Sequence, residues 1–218
     1  MKDLYIIGAG GFAIEVLFSI ESSCSDLWNK IYIIDDNEEK INSKIRNINV
    51  LSNIEDFISQ CQKYPDVERD VLITINSSKI RKNIVDLFTQ KKINVNYPNL
   101  IDHSAVIDTK YVQIGKGNII MDFVGITGNV ILGNHNIIGA RTGIGHDSII
   151  GNFNSFSPRV SISGQTTIGN ENSFGLNSAL LQNKNVGDNN NIWSYTMILK
   201  NIKNEGTYFG MPAKKIQI

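Results

Sequence analysis

The sequence predicts two architectures in one chain, an α/β parallel-sheet domain followed by a parallel β-helix. Three observations carry that reading. Strand and helix patterns alternate over the first hundred residues, a six-residue apolar period starts at Ile114, and glycine is distributed to match. Of 18 glycines, three stand at Gly8, Gly10 and Gly11, none occurs from Phe12 to Ile114, and fifteen fall from Gly115 onward. The expected division is residues 1–99 for the first domain, 100–204 for the β-helix and 205–218 for a C-terminal loop or tail.

In the first domain, Leu4 to Ile7 form an apolar run ending in Gly8-Ala-Gly-Gly11. Phe12, Val16, Leu17 and Ile20 then recur at helical spacing, with Glu15 and Glu21 on the other side. A second strand, Ile31 to Ile34, closes on Asp35 and Asp36. Val50-Leu51, a helix from about Asn53 to Gln60, a strand from Val71 to Ile75, a helix from Ser78 to about Lys91 and a strand near Val95 complete a Rossmann-like pattern.

Gly8 to Ala13 fits G-x-G-x-x-A, a turn that lets backbone approach a phosphate at a helix N-terminus. Asp35 stands where a ribose hydroxyl is bound in such folds. A tight turn without ligand and an NAD site both satisfy the motif. About 100 residues supply little more than one mononucleotide-binding half, so a nucleotide diphosphate suits the size better than NAD. Gly10, Gly11, Phe12, Asp35 and Asp36 are the candidate ligands, together with Asn76, which follows the Val71 to Ile75 strand where close approach would favour glycine.

From Ile114 to Ile198, fifteen consecutive period-six positions hold a large apolar residue, and glycine follows at 115, 133, 139, 145, 151, 169, 175 and 187. A helix repeats every 3.6 residues and a strand every two, so neither selects every sixth residue over that length. A parallel β-helix does, with each hexapeptide forming one face and one corner; the apolar residue points inward and the glycine is expected to relieve the turn. Three faces make a coil of eighteen residues, and the run spans nearly five coils, about 24 Å of stacking. Ile101 and Ile107 read as an earlier coil one residue out of register, with a short insertion or loop before Ile114.

Composition excludes more than it identifies. Twenty-one basic and twenty-one acidic side chains leave no net charge, which argues against a nucleic-acid partner. Ile at 36 and Asn at 27 fit a genomic bias as readily as a structural requirement. Two cysteines, Cys24 and Cys61, make no disulfide framework, no stretch is apolar enough to insert in a membrane, and Met1 runs into a strand without an apolar leader, so a reducing cytoplasm is the expected location.

The combination resembles the hexapeptide-repeat acyltransferases, and among them the two-domain sugar acyltransferases typified by bacterial UDP-4-amino-sugar N-acetyltransferases and sialic acid O-acetyltransferases. The resemblance runs through Gly8-Ala-Gly-Gly-Phe12, Ile34-Asp-Asp36, Ile80-Arg81, Asn99-Leu-Ile-Asp-His-Ser-Ala105, Gly145-His-Asp-Ser-Ile-Ile-Gly151 and Gly210-Met-Pro-Ala-Lys214. It implies a left-handed β-helix, a homotrimer with active sites between neighbouring prisms, acetyl-CoA as donor and no metal. The expected activity is N-acetylation of a nucleotide-linked amino sugar, UDP-linked by that resemblance, in surface glycan synthesis.

From spacing alone His146 is either an exposed polar residue on a prism face or a catalytic one; the resemblance makes it the general base, with Asp147 at the position of an acidic partner that is usually Glu. Imidazole suits proton removal near neutrality. Both cysteines precede the repeat, so direct attack on the thioester is expected rather than an acyl-enzyme. The resemblance also assigns the CoA site to Ser155, Leu176, Ser194 and Lys214. Ser155 replaces a donor-contacting His, and Trp193-Ser194-Tyr195 replaces a glycine-rich stretch, with bulk that either narrows the groove or stacks on CoA. Lys214 and Lys215 serve CoA phosphates or form a solvated tail. His135 reads as a surface or interface residue and His103 as a junction residue; eleven residues separate His135 from His146, which does not return to one face and disfavours a β-helix carbonic anhydrase. Sugar O-acetylation and a non-catalytic trimeric nucleotide-binding module remain the alternatives.

Overall fold

The computed structural model describes residues 2–23 and 27–217. Cys24 lies outside them; Cys61 is a buried free thiol. The chain divides between Leu100 and Ile101, one residue beyond the expected boundary.

In the first unit β1 (Lys2–Ile7), α1 (Gly11–Ser23), β2 (Trp28–Ile34), β3 (Lys44–Ile45), β4 (Ile48–Ser52), α2 (Ile54–Lys63), β5 (Arg69–Ile73) and α3 (Ser78–Gln90) follow in order. The sheet order is β3-β4-β2-β1-β5, parallel except for the β3–β4 hairpin. That hairpin was not legible in the pattern. Its turn residues Arg46 and Asn47 both have positive φ, 45° and 67°, without the glycine that usually marks such a turn. The expected strand near Val95 is reduced to one parallel bridge between Asp70 and Asn96. Tyr5, Ile7 and Ile34 pack with Phe57, Val71, Ile73, Ile84 and Phe88 into one core, while Val16, Leu17 and Ile20 of α1 are buried as the helical spacing requires. The N-caps are Asn53 for α2 and Ser77 for α3, each accepting a backbone N–H of the first turn.

The second unit is a left-handed parallel β-helix. Two-residue strands stack in register every eighteen residues, as in Gly125, Gly143, Ser161, Ala179 and Met197. They form one six-stranded, one five-stranded and one eight-stranded sheet. The inward residues from Ile120 to Ile198 make a continuous column-like core, including Phe156 stacked on Phe174 at 5.0 Å. The early coil is offset as expected: Ile107 pairs with Ile126, nineteen residues on, whereas Ile114 pairs with Leu132, eighteen on. The extra residue is absorbed in the turn where Val112 N–H donates to Asp108 O.

The role expected for glycine requires correction. The left-handed corner position lies three residues after each inward side chain, not one. From Phe123 to Tyr195 every sixth residue has φ between 54° and 61°, and none of them is glycine. Each such residue from His135 to Tyr195 donates its N–H to a carbonyl on the preceding coil, as Asp147 does to Gly128 O at 3.0 Å and Tyr195 to Leu176 O at 2.8 Å. That bond offsets the steric cost of the left-handed conformation, of order 1 kcal/mol per residue. The second-position glycines answer a different constraint. A Cβ at Gly133 would lie 2.5 Å from Gly151 O, and one at Gly151 2.5 Å from Gly169 O, so the coils stack too closely there for any side chain.

Asparagine abundance acquires a structural share. Asn118, Asn136, Asn154, Asn172 and Asn190 are buried one above another; the Oδ1 of each of the first four accepts the backbone N–H of the next coil's Asn, and that of Asn190 accepts the Gly206 N–H. A parallel ladder of Asn134, Asn152, Asn170, Asp188 and Asn204 runs along the same corner. These side chains satisfy backbone donors that the corners would otherwise leave buried without a partner. The expected C-terminal loop or tail contains two strands, Thr207–Phe209 and the antiparallel Lys214–Ile216, which extend the eight-stranded sheet.

Replacing Asn154 with Ala removes an acceptor and a donor from a closed column and should cost about 2–4 kcal/mol in urea denaturation. Gly151→Ala drives a Cβ into backbone and should lower the thermal midpoint sharply, whereas Gly143→Ala, with no heavy atom within 4 Å of the added carbon, should leave it nearly unchanged. Equal midpoints for the two variants would refute the close-stacking explanation.

Candidate active site

The first unit presents a crevice of about 320 Å³ at the C-terminal ends of its parallel strands, lined by Gly8, Asp35, Asp36, Ile75, Asn83 and Leu87 among others. This is where an open α/β sheet binds its ligand. Gly8 turns with φ 108°, and a Cβ there would meet Ile75 Cγ1 at 2.9 Å. Gly10 and Gly11 differ: nothing lies within 4 Å of an added Cβ and neither has positive φ, so the fold itself does not demand them. They leave bare backbone at the start of α1, where free N–H groups face outward. Phe12, in the first turn, is half-buried.

Asp35 is already engaged. Its Oδ2 accepts the Ala9 N–H, its Oδ1 accepts the Asn37 N–H at 2.9 Å, and it ties the glycine loop to the end of β2. Asp36 Oδ1 accepts the Ile54 N–H at 2.8 Å and anchors the start of α2. Asn76 is exposed after β5, and Arg81 holds its loop: the guanidinium donates to Ile75 O at 2.7 Å and Asn76 O at 2.9 Å. Burial lowers the Arg81 pKa to about 10, still far enough above neutrality for the group to remain charged.

Two residues beside this crevice have no spacing of their own that marks them in the sequence. Arg81 is marked only by the Ile80-Arg81 pair of the family resemblance. Lys40 belongs to no motif, yet its ammonium donates to Ala9 O at 3.1 Å and lies 3.8 Å from Asp35 Oδ2, which places a cation beside the bare glycines. A three-residue helical turn, Glu38–Lys40, capped by Asn37, delivers it. No periodicity announces so short a turn.

In the β-helix, His146 and Asp147 sit on an exposed corner. His146 Nδ1 is 2.8 Å from Asp147 Oδ2, and Asn129 Nδ2 donates to Asp147 Oδ1 at 3.0 Å. The His146 bond and the Asn129 bond hold the Asp147 carboxyl below its ordinary pKa. The short Asp side chain therefore reaches the imidazole of its own neighbour. The ring of His146 lies over Gly164, one coil on, where a Cβ would fall 2.7 Å from Nε2. The residue types at 129 and 164 carried no signal on their own. The coil length did, since 147 minus 18 is 129 and 146 plus 18 is 164.

The other histidines stand apart. His135 is buried rather than at the surface, stacked on Phe153 at 5.1 Å and covering Gly117. His103 is exposed, 3.4 Å from Asp102. Among the described residues no group of three or more His, Cys, Asp or Glu side chains is arranged to hold a metal ion. No helix among them is long and apolar enough to cross a membrane.

The residues assigned to the donor are partly brought together. Ser194 lines a cleft of about 340 Å³ with Ser173, Gly175, Asn191, Trp193 and Phe209. Leu176 follows Gly175 and is partly exposed, and Lys214 pairs with Phe209 across the final strands. Trp193 meets Phe209 edge-on at 5.8 Å, so its bulk forms one wall of the cleft. Ser155 is on the same sheet, in register with Ser173, but is buried.

Residues 3–88 match the PglD N-terminal domain family, and residues 111–146 match the bacterial transferase hexapeptide family of six repeats. No curated protein matches the sequence with significance. Solved structures share the fold over its whole length. PerB from Caulobacter crescentus in complex with CoA and GDP-perosamine is 18% identical over 100% of this chain and 98% of its own, at a TM-score of 0.87. The acetyltransferase domain of PglB from Neisseria gonorrhoeae in complex with acetyl coenzyme A is 22% identical over 99% of each chain, at 0.86. WeeI from Acinetobacter baumannii is 22% identical over 99% and 100%, also at 0.86. The chain thus joins a segment matching the PglD N-terminal domain to a segment matching the bacterial transferase hexapeptide repeats, and shares its two-domain fold with PerB, the PglB acetyltransferase domain and WeeI.

Proposed function

We propose that the protein is an acetyl-CoA-dependent N-acetyltransferase acting on a nucleotide-linked amino sugar in the formation of a surface glycan. The observation that carries this reading is the His146–Asp147 pair on an exposed corner, with the imidazole laid over a glycine and its Nδ1 already engaged. An imidazole held at Nδ1 by a carboxylate presents Nε2 as the base. Acetyl-CoA supplies the activated acyl group. The neutral sugar amine attacks the thioester carbonyl, a C–N bond forms, the C–S bond breaks, and the amine proton passes to His146 Nε2 and on to the departing thiolate. Backbone N–H groups stabilise the oxyanion.

The nucleotide is assigned to the first unit. Bare backbone at Gly10 and Gly11 and the α1 N-terminus suit the diphosphate, with Lys40 beside it, while Phe12, Asp35, Asp36 and Asn76 border the ribose, base or sugar. Support for this assignment comes from PerB, whose structure contains GDP-perosamine and CoA on the same fold. The UDP-linked form is the first acceptor to test and the GDP-linked form the second. The cleft at Ser194, Trp193 and Phe209, with Leu176 and Lys214 at its border, is assigned to CoA, Trp193 serving as a stacking wall. We assign the working form to a cytoplasmic homotrimer in which neighbouring prisms complete each site.

Thiol release from acetyl-CoA, followed with UDP-, GDP- and dTDP-linked amino sugars and with free sugars, should show turnover on a nucleotide-linked amine; turnover on free sugar hydroxyls alone would replace N- with O-acetylation. His146→Ala should lower kcat by about 10²–10⁴-fold with the unfolding midpoint unchanged, and full activity in that variant would remove His146 as base. Gly164→Ala should displace the imidazole and lower kcat by at least about tenfold without destabilising the coil; unaltered kcat would show that the ring does not work from its observed position.

A further inference from the structure

We infer that Asn129 is a positioning residue for proton transfer, acting through Asp147 on the imidazole of His146. The inference rests on the proposed role of His146 as base. Asn129 and Asp147 occupy the same corner of adjacent coils, both in the left-handed conformation, with φ 54° and 58°. Asn129 Nδ2 donates to Asp147 Oδ1 at 3.0 Å, and Asp147 Oδ2 lies 2.8 Å from His146 Nδ1. One carboxylate is thereby held through both of its oxygens, which fixes its plane as well as its position.

The restraint matters because the corner is exposed. Asp147 is nearly half accessible and His146 more than half, so neither side chain is enclosed by packing, and the ring rests on Gly164 at one face only. An aspartate held at one oxygen only can still exchange its two oxygens or tilt about its terminal bond, whose torsional well is broad. With Oδ1 occupied by the Asn129 amide, Oδ2 remains to accept from Nδ1–H, and the neutral ring keeps its proton on Nδ1 and its lone pair on Nε2. Nε2 is the atom that lies over Gly164.

The residue type fits both demands of position 129. Asparagine tolerates the left-handed region better than most side chains and carries a donor. Glycine would meet the backbone requirement without a donor, and aspartate would meet it while setting a second carboxylate against Asp147.

These alternatives supply the test, made with acetyl-CoA and a UDP-linked 4-amino sugar. Asn129→Gly should lower kcat by about fivefold and leave both KM values within about twofold, and Asn129→Asp should lower kcat further. In an Asp147→Ala background Asn129→Gly should have no additional effect. Ring ¹⁵N shifts of His146 should report the Nδ1–H tautomer in the native protein and a mixture of tautomers in Asn129→Gly. Equal losses in both backgrounds, or unchanged kcat with an unchanged tautomer, would overturn the role. The ¹⁵N readout needs no turnover, so an active His146→Ala variant would defeat the base assignment while leaving the Asn129 effect on the ring measurable.

Discussion

The backbone hydrogen bond that closes each corner of the β-helix is the constraint from which the rest follows. A residue in the left-handed conformation turns the chain through the corner and donates its N–H to the coil before it, as Asp147 does to Gly128. Because the same bond recurs at each corner from His135 to Tyr195, the coil length is held at eighteen residues and side chains eighteen apart become vertical neighbours. The inward Ile and Phe column, the Asn ladders and the close stacking at second-position glycines all depend on that register. So does the chemistry: His146 meets Gly164, and Asp147 meets Asn129, only because the return is the same on every coil.

This explains how the proposed base can stand on an exposed surface without a pocket to hold it. In many enzymes a buried shell immobilises the reacting side chain. Here the imidazole and the carboxylate are each two bonds from a Cα, the main chain between them is tied to the preceding coil, and Asn129 on that coil supplies further restraint. The first unit uses a comparable economy. Asp35 secures the glycine loop by accepting the Ala9 N–H, and a buried Arg81 secures the loop after β5 through two carbonyls, so both rims of the crevice are held by charged groups bonded to main chain.

Much of the fold was legible because its periods are long. Fifteen inward positions at a spacing of six leave no other regular solution, and Gly8 to Ala13 between a strand and a helix defines the first turn. What escaped the sequence was short or conformational. Arg46-Asn47 turns a hairpin with no glycine, and Thr207–Phe209 with Lys214–Ile216 makes strands where the six-residue period has ended. Glycine departs from the expected role for a physical reason: its freedom at positive φ is its better-known use, but here its lack of a side chain decides. At the site, His146 and Asp147 emerged from motif resemblance, whereas Asn129, Gly164 and Lys40 required the coil register or a three-residue turn.

A stack of parallel strands has an intrinsic hazard, since the last coil offers unpaired N–H and C=O groups onto which another molecule could add a coil, and then another. On the eight-stranded sheet the chain folds back after Phe209 and lays Lys214–Ile216 antiparallel on the final parallel strand. The reversed direction breaks the lattice that a successor would need, and two lysines stand on the new edge. On that sheet the closing segment therefore replaces an open parallel edge with an antiparallel one, which a further parallel coil does not match.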